Sequence, residues 1–185
     1  MKSDLGDRLD ETATAIIREI DRQPDGERGH HTAVGGGAVL VSGRTPGPAG
    51  AIVAAAVDDD ACPGRVVRYA AEQARRLGVP LRLVHVWTGR AMAVPGTGRE
   101  LMSDADLLLS TVLYDHLDPE QAVAAEREIL HDPDVGRALI ALSAEAGLLV
   151  VAARGTPDVT GEPLGHTVRR LVGRTACPLA VLAPG

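Results

Sequence analysis

The sequence predicts an α/β fold, an open parallel five-stranded sheet with helices on both faces. Three observations carry that prediction. From residue 51 onward, short apolar runs alternate with segments of helical periodicity, as in a chain of strand–helix–strand units. Runs such as A-I-V-A-A-A-V (51–57) and L-L-V-V-A-A (148–153) lack the in–out alternation of a half-exposed strand, so they are expected to be covered on both faces. Hydrophobic residues make up 45% of the 185 positions while aromatics make up 2%, with no Phe, so the core must be aliphatic.

Taken in order, residues 5–22 place Leu9, Ala13, Ile16, Ile17 and Ile20 at helical spacing. The run Q-P-D-G-E-R-G-H-H-T-A-V-G-G-G that follows is too rich in glycine and polar residues to be expected to pack firmly. A-V-L-V (38–41) has the composition of a short strand, and S-G-R-T-P-G-P-A-G (42–50) reads as a linker. These features divide the chain into an N-terminal extension, 1–48, with a helix and a flexible linker, and a compact domain, 49–185. The domain opens with the strand 51–57 and a helix at 63–77, with Pro63 at its start and Gly78 just past its end. L-R-L-V-H-V-W (81–87) is the second strand. A loop containing P-G-T-G (95–98) leads to a helical segment at 100–117. A-V-A-A-E-R-E-I-L (122–130) is read as the third strand, against the poor strand propensity of Ala and Glu. A helix at 133–146, a strand at 148–153, a helix at 165–174 and a strand at 178–183 complete the pattern.

Composition narrows the function. A net charge of −6 and the scarcity of aromatic rings argue against binding nucleic acid, which needs cationic surface and stacking platforms. Two cysteines, Cys62 and Cys177, are too few for a disulfide scaffold and read as buried thiols. No apolar run approaches the ~20 residues of a membrane helix, and the charged start lacks a signal-peptide core, so a cytoplasmic protein is expected. His30-His31 fall in the polar run and read as part of a linker rather than a metal site. No Ser-His-Asp or Cys-His arrangement has supporting spacing.

In parallel sheets, ligands bind beyond the carboxyl ends of the strands where the strand order reverses. The ends to inspect are Val57-Asp58, Val86-Trp87 and Ala152-Ala153. After the fourth strand the chain reads A-A-R-G-T-P-D-V-T-G-E-P-L-G-H-T (152–167). Gly155 and Gly165 would let a ligand approach the backbone, and the free N–H groups after Gly165 favour an anion. His166 and Thr167 would then sit in the first turn; Thr167 equally suits the role of a helix cap. His85, between Val84 and Val86, reads as a satisfied core histidine.

Residues 51–185 resemble a universal stress protein domain. The first strand of that family ends V-D-G-S, where this chain has Val57-Asp58-Asp59-Asp60; its second strand ends L-V-H-V, matched by Leu83-Val84-His85-Val86. The family signature G-x2-G-x9-G-[ST] keeps its spacing here as Ala152-x2-Gly155-x9-Gly165-His166, and R-R-L-V-G-R-T-A-C-P-L-A-V-L (169–182) is similar to the family's ending. The resemblance implies a Rossmann-like sheet of the adenine nucleotide alpha hydrolase type, its strands ordered 3-2-1-4-5. It also implies a homodimer paired through the last strand, about 178–183. By the same resemblance, adenine would lie against Ala56, Val57, Val86 and Val151, Asp58 would contact the ribose beside Ala152, and Gly155, Gly165, His166 and Thr167 would hold the phosphates.

Ala152 stands where the signature has glycine, His166 where it has Ser or Thr, and Asp59-Asp60 where the strand ending has Gly-Ser. Three carboxylates beside a triphosphate repel it unless a divalent cation such as Mg²⁺ bridges them. Within the signature only Arg154 is basic, with Arg169 and Arg170 further down the helix. ATP is therefore poorly neutralised, and adenosine or AMP is easier to accommodate. The reading expected is an adenine-nucleotide-binding or sensing module of the stress response. Two others stay open: a non-nucleotide-binding dimerisation or partner-interaction module of the same fold, and a slow ATPase using Asp58–Asp60 with a cation.

Overall fold

The computed structural model describes residues 4–23, 32–45, 48, 51–58, 63–88, 97–154 and 162–184. The chain starts with helix α1 (Asp4–Asp21), whose Thr12, Ile16 and Ile20 are buried at i, i+4 spacing while Ile17 faces solvent. Next comes a hairpin, β1 (Thr32–Gly35) and β2 (Ala38–Val41), closed by the two-residue loop Gly36-Gly37. That loop carries φ of 62° and 86° at its two glycines. A two-residue turn matched to strand twist requires positive φ at both positions, which glycine adopts without steric cost. The glycine run read as unable to pack is therefore, over 32–37, a strand and its turn.

The remainder alternates strand and helix: β3 (Ile52–Ala56), α2 (Pro63–Leu77), β4 (Leu81–Trp87), α3 (Thr97–His116), α4 (Pro119–Ala124), β5 (Glu126–His131), α5 (Val135–Leu142), β6 (Ala146–Ala152), α6 (His166–Leu171) and β7 (Leu179–Leu182). All seven strands form one sheet in the order β1-β2-β7-β6-β3-β4-β5. The pairs from β7 through β5 are parallel, and β1, β2 and β7 pair antiparallel. The open parallel five-stranded sheet expected from the sequence is thus corrected to a mixed sheet of seven. The reason is local: A-V-L-V of β2 is apolar enough to lie along β7, matching Val41 to Leu179 and Ala38 to Leu182. The edge of β7 on which a second copy was expected to pair carries β2 of the same chain.

Element boundaries also move: the helix expected over 133–146 ends at Leu142, β6 starts at Ala146, and the helix expected over 165–174 ends at Leu171. Residues 122–124, expected as strand, belong to α4, which Asp118 caps by accepting the Gln121 N–H at 2.9 Å ahead of Pro119. The strand begins at Glu126, where its glutamates are tolerated because β5 is an edge strand and Arg82 of β4 pairs with both, 2.7 Å to Glu126 and 3.1 Å to Glu128. Thr97 and Gly98, read as loop, open α3.

Both faces of the sheet are covered by aliphatic side chains. On one, Ile16 of α1, Leu139 of α5 and Leu171 of α6 meet Val39, Leu149 and Leu179. On the other, Val67 of α2 and Leu109 and Leu113 of α3 meet Val53, Leu83 and Val150. Cys177 is fully buried, and burial pushes its thiol up to about 11, so it is inert at neutral pH; Cys62 lies outside the described residues. At the end of β4 the Trp87 ring meets the His131 ring edge-on, centroids 4.6 Å apart at 79°. Among the described residues, no helix is long and apolar enough to cross a membrane.

Candidate functional site

The neighbours of β3 diverge in sequence on its two sides: β4 follows it, while β6 comes from far downstream. A cleft opens at the carboxyl ends of these three strands, where the crossovers leave in opposite directions. The cavity there is about 150 Å³ and opens to solvent. Ala56, Val57, Asp58, Val86, Val151, Ala152, Gly165, His166 and Thr167 all line it. Gly155, Asp59 and Asp60 lie outside the described residues, as do His30 and His31.

The cleft has an aliphatic interior and a polar rim. Val84 and Val86 project from the same side of β4, Val135 and Leu139 are one turn apart on α5, and Val168 closes the wall from α6. Of these, Val86 was expected from the sequence, whereas Val84, Val135, Leu139 and Val168 were missed, although Val135 and Leu139 show the i, i+4 signal of a buried helix face. Strand ends are held by backbone bonds. Val57 N–H donates to the Val84 carbonyl (2.8 Å), and Gly165 N–H donates to the Ala153 carbonyl (2.8 Å), tying the far end of the 155–165 connection to the tip of β6. The histidine read as a core residue also reaches this rim: His85 Nδ1 lies 3.0 Å from the Val57 carbonyl. A carbonyl only accepts, so Nδ1 carries the proton, with an Asp58 carboxylate oxygen 3.9 Å away.

Charge at the rim differs from the sequence-level count. Arg169 pairs with Glu162, and Arg170 pairs with Asp134 at 2.7 Å, so neither guanidinium is free to face a ligand. Arg154 is different: it lines the cleft, and its buried Nε has no hydrogen-bond partner among the described residues. A buried donor with no partner costs about 1–3 kcal/mol. Gly165, not Thr167, occupies the cap position of α6, and no side chain caps that end. With only six residues, α6 offers less dipole than the sequence suggested, and Arg154 becomes the main cationic element.

The α5 wall is anchored by two aspartates. Asp134 caps the helix by accepting the Arg137 N–H at 3.1 Å. That bond, then the Arg170 guanidinium, holds its carboxyl below the ordinary range. Arg137, bound at 2.7 Å and 3.0 Å, likewise lowers Asp132. A lowered folded-state pKa gives stability that is present above the unfolded value of about 3.9 and is lost as pH falls through the folded value. Asn at 134 can still cap but cannot titrate. Asp134→Asn should therefore show a smaller drop in melting temperature than the parent when pH falls from about 6 to about 2.5. Equal drops, followed by circular dichroism, would place the acid sensitivity elsewhere.

Residues 51–183 match the model of the universal stress protein family. No curated protein matches the chain. Among solved structures, a universal stress protein from Archaeoglobus fulgidus is 23% identical, with a TM-score of 0.55 over 71% of this chain and 92% of the other. A universal stress protein from the same organism in complex with dAMP is 20% identical, with a TM-score of 0.50 over 71% and 96%. A universal stress protein in complex with cAMP is 19% identical, with a TM-score of 0.51 over 75% and 100%. The family match covers well over half the chain and includes every strand that lines the cleft, and so the chain belongs to the universal stress protein family.

Proposed function

We propose that this protein is a sensing module that binds an adenine nucleoside monophosphate in the cleft beyond β3, β4 and β6, and that it works by binding rather than by turnover. The observation that carries the reading is the union of an aliphatic slot with a cation in its lining: the valines for a flat base, Arg154 for a phosphate. Asp58, two residues past β3, lines the cleft, and the reading gives it the ribose hydroxyls. The similar structures described with dAMP and cAMP carry the same ligand class, one phosphorus per nucleoside. ATP suits the rim less well. Its further phosphates would meet Asp58, while Arg169 and Arg170 are already paired, so ATP binding would depend on Mg²⁺. A role in the stress response follows the same reading.

Calorimetric titration with AMP, ADP and ATP, each with and without Mg²⁺, tests it. The expected result is AMP binding in the micromolar range, about −8 kcal/mol, with no gain from added phosphates. ATP binding tighter than AMP and dependent on Mg²⁺ would sink the monophosphate reading. No heat with any nucleotide would leave a partner-interaction module instead.

A further inference from the structure

The N-terminal segment lies outside the family match, which starts at residue 51. The similar structures cover 71–75% of this chain while being covered over 92–100% of their own length. What the extra segment does is visible in its contacts. All four residues of β7 are buried, and β2 pairs along its whole length. Pairing continues past the strand: Arg44 N–H donates to the Thr175 carbonyl (3.1 Å) and Thr45 N–H to the Ala176 carbonyl (2.9 Å). Between them and β2, Gly43 runs so close that an added Cβ would fall 2.3 Å from the Ala176 oxygen, backbone against backbone. From above, α1 seats Ile16 and Ile20 in the core shared with Val39, Leu179 and Val181. After α1, Gln23 Nε2 donates to the Val172 carbonyl at 2.7 Å.

We propose that residues 32–45 take, within one chain, the place of a second copy of the protein on the edge of β7, making the chain a self-capped monomer with a masked self-association surface. Without β2, the edge of β7 would be a row of unpaired backbone groups flanked by Leu179, Ala180, Val181 and Leu182, which is a template for another strand. L-A-V-L run antiparallel against itself matches the same kinds of residue that A-V-L-V supplies, with no charge on either strand to repel. Such pairing is self-complementary about a two-fold axis, so a second β7 is the occupant that fits. β2 mimics it at an effective concentration no separate molecule reaches.

Sedimentation velocity on three full-length forms tests the proposal. The unaltered chain is expected to be monomeric at tens of micromolar. Leu40→Cys with Ala180→Cys, opposite each other in register, should stay monomeric once oxidised. Val39→Asp with Val41→Asp puts charges at two buried positions of β2 and should tighten dimerisation at least about a hundredfold while circular dichroism stays α/β. Should that variant not fold, Ile16→Ala with Ile20→Ala undocks α1 instead and is read the same way. A dimer of the unaltered chain overturns the proposal, and so does a loosened, folded variant that remains monomeric.

Discussion

Truncating Leu149 to alanine is expected to cost about 3–5 kcal/mol of folding stability, the largest effect of any single core change in this protein. Leu149 is fully buried at the middle of β6, with Ala54 of β3 on one side and Leu179 of β7 on the other. Its side chain sits in the core shared by α1, α5 and α6, so three helices border the void that alanine leaves. A sheet strand held by two parallel neighbours cannot collapse into that void, which puts the cost at the upper end of the range. For a chain of this length the melting temperature should fall by roughly 10 °C. Thermal unfolding followed by circular dichroism checks it; a loss below about 1 kcal/mol would mean the core relaxes far more than aliphatic interiors do.

Replacing Arg154 by alanine is expected to weaken AMP binding roughly 10- to 100-fold, the value of one or two hydrogen bonds to a charged group. The same substitution should leave adenosine binding unchanged, because only the phosphate is addressed. It should not lower the stability of the unliganded protein, and should raise it slightly, since a buried Nε with no partner among the described residues is removed. Arg154→Lys should recover part of the AMP affinity, as a point charge without the planar fork. Calorimetry against AMP and adenosine, paired with a melting curve, reads all three. Equal losses for both ligands would show that Arg154 shapes the cleft rather than holding the anion.

The strand–helix rhythm was legible wherever local signals agreed with one another. α2 runs from Pro63 to Leu77 as its proline start and glycine end foretell, with Gly78 at φ 65° providing the stop. The β1 strand was not legible, since three consecutive glycines read as looseness, and only the pairing of Val34 with Val39 turns two of them into a defined turn. The third parallel strand was displaced because Ala122–Ala124 have helical propensity that the Asp118 cap and Pro119 make effective. At the site, nine of the ten residues named from the resemblance line a single cleft, because strand ends converge by topology. Its charge balance was not legible. Arg169 and Arg170 look available in a linear reading, and only the fold brings Glu162 and Asp134 to them. Arg154 is the reverse case: a single basic letter becomes significant through its place in the cleft lining.

The ring pair at the end of β4 gives this protein a built-in optical gauge. Trp87 is the chain's one tryptophan, and it follows directly on Val86 of the cleft wall. Emission excited at the red edge of protein absorbance therefore arises from one ring, held edge-on by His131 across the β4–β5 pair. In a chain without phenylalanine and with two tyrosines, there is little else to mask it. Its colour and intensity report on the carboxyl end of the sheet, where a ligand would arrive, and not on the distant N-terminal hairpin. Occupancy of the cleft and release of β2 can thus be followed in one sample by two separate signals, light from Trp87 and mass from sedimentation.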